Sequence, residues 1–317
     1  LVLNAIGAVL SVFIMIGLGV FVYTKRWATR ENAAIFSKIV INIGIPANVL
    51  YSFLTIFNRS QIAESLPLML AGFVVMIVSY AIAFFIAPLV KIKETRRGLF
   101  SVIFAFSNSV FIGFPVAQAL FGDAGMPYAV MYYLVNTTMF WTLGYFGIRR
   151  DAAVINGKTE RASLKEILSH IFNMPLMFIV LGVLLMYLNV QLPAFIMRVL
   201  EYASGLTTPL SMIFTGVVLA DLGVKSVVFE WDVLKVLFGR VLIVPLIMLL
   251  AVWLMGMDGL GPQVFVVQSS LPVMLQSVIL SEHYHADAAF ASKSFTWTTV
   301  MALVTIPAYM VLVNFIF

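Results

Sequence analysis

Ser107-Asn108-Ser109-Val110-Phe111-Ile112-Gly113-Phe114-Pro115 and Gln268-Ser269-Ser270-Leu271-Pro272-Val273-Met274-Leu275-Gln276 decide how this chain is read. Each sets a proline and small polar residues inside a run otherwise apolar enough to cross a bilayer. Proline removes a helix N–H and clashes with the preceding turn. In lipid, a backbone group freed in this way costs several kcal/mol unless protein or cavity water satisfies it. Interruptions at corresponding points of two halves of a chain point to the binding site of a secondary transporter.

The rest of the sequence supplies the membrane setting. Of 317 residues, 62% are hydrophobic and 10% charged, whereas a soluble domain carries about 25% charge. A soluble reading fails on that count. Runs of about 20 apolar residues recur, each long enough to cross a hydrocarbon core of about 30 Å. Polar punctuation divides them into ten expected spans: 2–23, 33–57, 66–90, 98–121, 126–147, 167–188, 195–219, 233–255, 262–281 and 288–317. The absence of cysteine excludes disulfides, thiolate metal sites and a cysteine nucleophile. No basic flank precedes the first apolar run, so no cleavable signal peptide is expected.

Charge sets the expected orientation. Seventeen of the 19 basic residues fall at one set of span ends, among them Lys25, Arg26, Lys91, Lys93, Arg149, Arg150, Arg240 and Lys293. Only Arg59 and Arg198 fall at the other. Basic residues stay on the cytoplasmic side, so both termini are expected outside. The same loops account for the net charge of +5 without a nucleic-acid partner. Prolines repeat as well: Pro46 and Pro209 stand 163 residues apart, Pro115 and Pro272 157 apart. An odd span count per half would insert the second half upside down, the inverted-repeat plan of secondary transporters. The expected organisation is a first repeat at 1–148, a cytoplasmic connector at 149–166 and a second repeat at 167–317.

Candidate chemistry gathers at the interruptions. Half-helix N-termini at mid-membrane present unpaired N–H groups and a positive partial charge, which suit an anion. Gly113 permits unusual backbone angles, Pro115 opens the first break, and Asn108 offers both donor and acceptor. Ser269, Ser270, Pro272 and Gln276 are their counterparts in the second half. Asn136 lies mid-span in the next helix, and Lys293 sits about five residues into the last one. An intramembrane ammonium or amide is a functional candidate by default. Each has a plainer reading too: the polar groups repair the breaks or join helices, and Lys293 reaches back to the interface. Asn42 and Asn48 flank Pro46, and Thr207-Thr208 precede Pro209; kink repair explains these four as well. Glu282-His283-Tyr284-His285 lacks the two-histidine spacing of a helical zinc site, so no metal and no cofactor is expected. No nucleophile–base pair or ATP-binding motif is evident, which argues against the usual hydrolase and primary-pump readings.

The stretch 107–115 resembles the asparagine-to-Gly-x-Pro segment of the auxin efflux carrier superfamily, which includes plant PIN proteins and bacterial malate permease-like carriers. Leu271-Pro272, Glu282-His283-Tyr284-His285 and Ile306-Pro307 are similar to its second crossover and last helix, and Thr208-Pro209-Leu210 to its seventh span. The resemblance implies an all-α fold of ten spans in two inverted five-helix repeats, with helices 4 and 9 broken and crossed. This is the plan of sodium/proton antiporters and bile-acid symporters. It implies a homodimer in a bacterial cytoplasmic (plasma) membrane, in which spans three to five and eight to ten move as a transport unit. It also implies alternating-access, elevator-type transport of organic anions such as malate or auxin-like acids, coupled to a proton or sodium ion. Asn108, Pro115 and Pro272 match the family motif, whereas Lys293 departs from it. A sodium-coupled bile-acid-symporter-like carrier is the alternative; those relatives carry a glutamate where this chain has Gln268-Ser269-Ser270. A membrane-embedded enzyme or a channel is the less favoured third reading.

Overall fold

The computed structural model describes residues 2–56, 59–157, 174–223, 226–228 and 230–317. Among them the regular structure is helical, apart from one isolated antiparallel bridge. The helices are α1 (Val2–Thr24), α2 (Arg30–Ile39), α3 (Ile45–Thr55), α4 (Arg59–Leu89), α5 (Arg97–Ala105), α6 (Phe114–Met139), α7 (Tyr145–Asn156), α8 (Met174–Tyr187), α9 (Ala194–Gly205), α10 (Thr207–Leu222), α11 (Trp231–Phe238), α12 (Val244–Leu254), α13 (Leu260–Ser269), α14 (Leu275–His283) and α15 (Ala288–Ile316).

Seven helical stretches among the described residues are long and apolar enough to cross a membrane: Ile6–Thr24, Arg30–Thr55, Ser65–Leu89, Ser109–Asn156, Ala194–Leu222, Trp231–Leu254 and Ala288–Ile316. Large apolar side chains on several of them face outward, including Ile14, Leu70, Phe85 and Val304 at 60% exposure or more. Lipid rather than water accepts such a surface. The stretch Ser109–Asn156 has 48 residues, about 72 Å if straight. It is not straight, because Gly122 takes φ 61° and ψ −158° and breaks it. The sequence spans 98–121 and 262–281 are also interrupted, since α5, α13 and α14 have only nine, ten and nine residues. Each reaches about 15 Å, half the core.

Prolines shape the remaining helices through wide turns. Four π turns occur among the described residues, at Val40–Gly44, Ser109–Gly113, Phe140–Gly144 and Gly239–Ile243. Three of them end two residues before a proline: Pro46, Pro115 and Pro245. Proline can neither donate to the ladder nor tolerate the i−4 carbonyl, and a widened turn moves that carbonyl aside. Pro209 instead lies in the first turn of α10, where the missing donor costs little.

The chain divides into two compact units. The first gathers Leu1–Pro67, Val110–Met131 and Phe172–Asp221; in it α3 packs on α8 and α9. Gly19 and Gly216 let α1 and α10 touch along their backbones, since a Cβ on Gly216 would collide with the Ile16 carbonyl. Small residues at such contacts are how lipid-embedded helices pack closely. The second unit gathers Leu68–Ser109, Tyr132–Ile171 and Leu222–Phe317, with α5 against α7 and α13 and α14 against α15. The expected connector 149–166 is helical through Asn156, where Gly157 ends α7 in the left-handed conformation (φ 66°). Residues 158–166, and the start of the expected span 167–188, lie outside the described residues.

Gly216→Leu is expected to cost at least about 2 kcal/mol, because the added side chain meets backbone that cannot move aside. Gly7→Leu, where nothing lies within 4 Å of the new Cβ, should stay within about 0.5 kcal/mol of wild type. Thermal unfolding of the two purified variants measures the contrast, and equal losses would refute the close α1–α10 contact.

Candidate functional site

Both interruptions belong to the second unit up to Ser109, and they pair with each other. Helix α5 ends at Phe106, whose backbone is extended (φ −103°, ψ 136°). Ser107 then forms an antiparallel bridge with Val273, and the Asn108 N–H donates to the Pro272 carbonyl at 2.9 Å. Asn136 serves the other edge of this short strand. Its Oδ1 accepts from the Ser107 N–H at 3.1 Å, and its Nδ2 donates to the Ser107 carbonyl at 2.8 Å and to Ser109 Oγ at 3.2 Å. The Tyr132 hydroxyl bonds Ser107 Oγ at 3.0 Å, and Thr298 Oγ1 accepts from the Val273 N–H at 3.1 Å. Side chains thus take the place of the lost helix partners, as a buried backbone requires.

Arg240 supplies the remaining half. Its guanidinium is fully buried and donates to Phe104 at 3.2 Å, Ala105 at 2.6 Å, Leu271 at 3.0 Å and the Ser269 carbonyl. Those are the carbonyls at the C-terminal ends of α5 and α13, which have no intrahelical partner. Gly239 makes the approach possible, because the Phe104 ring occupies the space that a Cβ there would need. Arg240 lies nine residues inside the stretch that begins at Trp231, about 14 Å along the axis and near the middle of a 30 Å core. Charge counting treated it as a residue of the cytoplasmic face; it is instead a buried bridge between two helix ends. Without Arg240, the sequence count is still sixteen basic residues at one set of expected span ends against two at the other.

The other sequence candidates divide as follows. Asn108, Ser269, Ser270 and Pro272 are buried at the paired breaks. The two serine hydroxyls bond back into α13, to Val266 at 2.6 Å and Val267 at 2.8 Å. Gln276 is half-buried in the first turn of α14. Gly113 and Pro115 follow the break and cluster with the first unit. In that unit Asn48, Thr207 and Thr208 line a cavity of about 380 Å³, together with Gln118, Asp123 and Glu201. Among the described residues Asn48 Oδ1 and Thr207 Oγ1 find no hydrogen-bond partner. Asn42 is exposed and bonds its own helix at Lys38. No group of three potential metal ligands occurs among the described residues.

Lys293 has a carboxylate partner. Its Nζ lies 3.0 Å from Glu230, which also binds Arg96. Arg96 reaches Asp232 at 3.3 Å and Asp287 at 2.6 Å and covers the Phe290 ring at 4.8 Å. This network ties the starts of α5, α11 and α15. Sequence reasoning had no view of it, since Glu230 and Asp287 lie outside the apolar runs.

Two outcomes follow from this geometry. Asn136→Ala strands the Ser107 N–H and carbonyl, and should lower stability by about 1–3 kcal/mol in thermal or chemical unfolding; no loss would mean that the break holds itself. Burial pushes the Glu230 carboxyl up, but the bonds from Arg96 and Lys293 outweigh it and hold its pKa below the ordinary value. A depressed carboxylate stabilises the fold above its unfolded pKa and loses that contribution as pH falls through the lowered folded value. The stability gap between wild type and Glu230→Gln should therefore be present at neutral pH and close as pH falls below the ordinary glutamate range. A gap that does not change with pH would contradict the pairing.

Comparison with known proteins agrees with a membrane carrier. A family described as membrane transport protein matches residues 4–310. An uncharacterized transporter of Methanocaldococcus jannaschii is 28% identical, covering 94% of this chain and 95% of its own length. One from Methanothermobacter thermautotrophicus is 27% identical, covering 96% of each. The uncharacterized transporter YfdV of Escherichia coli is 21% identical, also over 96% of each. With nearly the whole length matched, the chain belongs to the membrane transport protein family, the auxin efflux carrier superfamily.

Proposed function

We propose that this protein is a secondary active transporter of organic anions, carboxylates such as malate or auxin-like acids, and not an enzyme. The observation that carries the reading is the pairing of the two breaks, Ser107 with Val273 and Asn108 with Pro272. From these paired stretches the chain resumes helix at Ser109 and at Leu275. Helix N-termini carry about half a positive charge and free N–H donors, which favours a carboxylate. In this reading Asn108, with Ser269, Ser270 and Gln276, meets the substrate. Pro272 shapes its backbone cradle, and Asn136 holds Ser107 and so orients Asn108. Lys293 acts through Glu230, contributing to anion recognition or coupling.

The fold proposed is ten spans in two inverted five-helix repeats, with the fourth and ninth broken and crossed. Support comes from the matched prolines and from the short half-helices α5, α13 and α14. The cycle proposed is elevator-type alternating access in a homodimer, with a proton or sodium ion as the coupling ion. The grouping of 68–109, 132–171 and 222–317 in one compact unit is consistent with one body carrying the substrate. The charge bias supports both termini lying outside a bacterial-type cytoplasmic membrane.

Uptake of labelled dicarboxylates and aromatic carboxylates into liposomes tests the function. Asn108→Ala should weaken substrate binding by about 1–3 kcal/mol while the protein stays folded. A folded Asn108→Ala that binds every acid as tightly as wild type would reduce Asn108 to a repair group. Orientation is checked with single cysteines at Gly157 and Gly259, labelled by an impermeant reagent in intact cells. Gly259 should label and Gly157 should not; the opposite result inverts the topology.

A further inference from the structure

We propose that Arg240 is a resident cation filling a cation site built by the C-terminal ends of α5 and α13, so that no alkali metal ion binds at the breaks. The α5 end presents the Phe104 and Ala105 carbonyls, and the α13 end those of Ser269 and Leu271. Four backbone carbonyl oxygens around one buried cation, on its Nε, Nη1 and Nη2, are the ligand type that a sodium or potassium ion also takes. Each helix end carries about half a negative charge, so two ends carry about one. One guanidinium cancels it. Arginine stays protonated under all physiological conditions, so the occupant cannot leave or titrate during a cycle. Among the described residues no carboxylate pairs with Arg240; the Tyr132 and Tyr309 hydroxyls also face it. The two carbonyl ends therefore account for its charge.

The inference narrows the coupling ion of the transporter proposed above and rests on that reading for its transport consequence. With the negative ends neutralised, the positive ends of the helices that start after the breaks favour an anion without a co-bound metal cation.

The test uses thermal unfolding of purified protein, with no substrate, so it stands even if the transport reading fails. Wild type should unfold at the same temperature in sodium chloride and in N-methyl-D-glucamine chloride of equal ionic strength. Arg240→Ala should unfold at least about 5 °C lower. Guanidinium chloride at about 10 mM, far below denaturing strength, should restore part of the loss, and urea at the same concentration should not. A sodium-specific rise in wild type, an unshifted Arg240→Ala, or equal rescue by urea would each overturn the proposal. Should Arg240→Ala not fold, Arg240→Lys and Arg240→Met decide. Lysine keeps the charge and should be the more stable, whereas methionine equalling it would refute a cation site. In liposomes, replacing sodium should leave uptake by wild type unchanged.

Discussion

Everything in the second unit depends on one constraint: polypeptide that leaves the helix inside lipid must find every hydrogen bond within the protein. At Ser107 and Val273 the chain meets it by letting two interruptions serve each other. Neither stretch alone could do so, since a single extended segment exposes donors and acceptors along both edges. The partner break covers one edge through Pro272, and Asn136 covers the other with an amide that copies a peptide group. The carbonyl ends that remain face Arg240. The breaks are therefore held by tertiary contacts, and losing one partner exposes groups on both strands.

The prolines work differently from a simple helix breaker. Where Pro46 and Pro245 follow a π turn by two residues, the helix continues with an altered phase. A wide turn inserts one residue and rotates everything after it by about 100° relative to the preceding face. Side chains on the two sides of each turn then address different neighbours. In the Gly239–Ile243 turn this rotation accompanies the placement of Arg240 against α5 and α13, with Phe104 packed on the bare backbone of Gly239. Local sequence and long-range contact agree there, which is the consistency that a folded chain needs.

Much of this was legible in the sequence, and the exceptions have physical causes. The breaks were visible because proline with serine and asparagine inside an apolar run has no cheap explanation in lipid. Asn136 was visible as an amide at depth, but its partner at Ser107 was not, because periodicity says nothing about which helices meet. Lys293 stood out as a charge near the end of a span, whereas Glu230 and Asp287 sit in loops where carboxylates are ordinary. Arg240 was misjudged for a similar reason. A charge-bias count gives every basic residue to the nearest span end, and nine residues of apolar helix were too few to separate depth from interface. The available signal was the pair Gly239-Arg240, a residue without a side chain before a cation, within a stretch holding no carboxylate after Asp232.

The two arginine sites of the second unit show why depth changes the solution to one problem. Arg96, near the helix starts, is 8% exposed and is surrounded by Glu230, Asp232 and Asp287. The carboxylates there keep 28%, 13% and 20% of their side-chain surface exposed, so water still shares the cost of gathering them. Arg240 has no such relief. A carboxylate partner at that depth would have to be stripped of water as well, at several kcal/mol per ion before any attraction is counted. Helix C-termini avoid the second penalty, because their carbonyl dipoles are already out of water and already oriented. They also dictate the side chain. Acceptors on two separate helix ends call for a planar group with donors on several sides, which guanidinium has and ammonium lacks. Depth selects carbonyl ends over carboxylates, and the spread of those ends selects arginine over lysine.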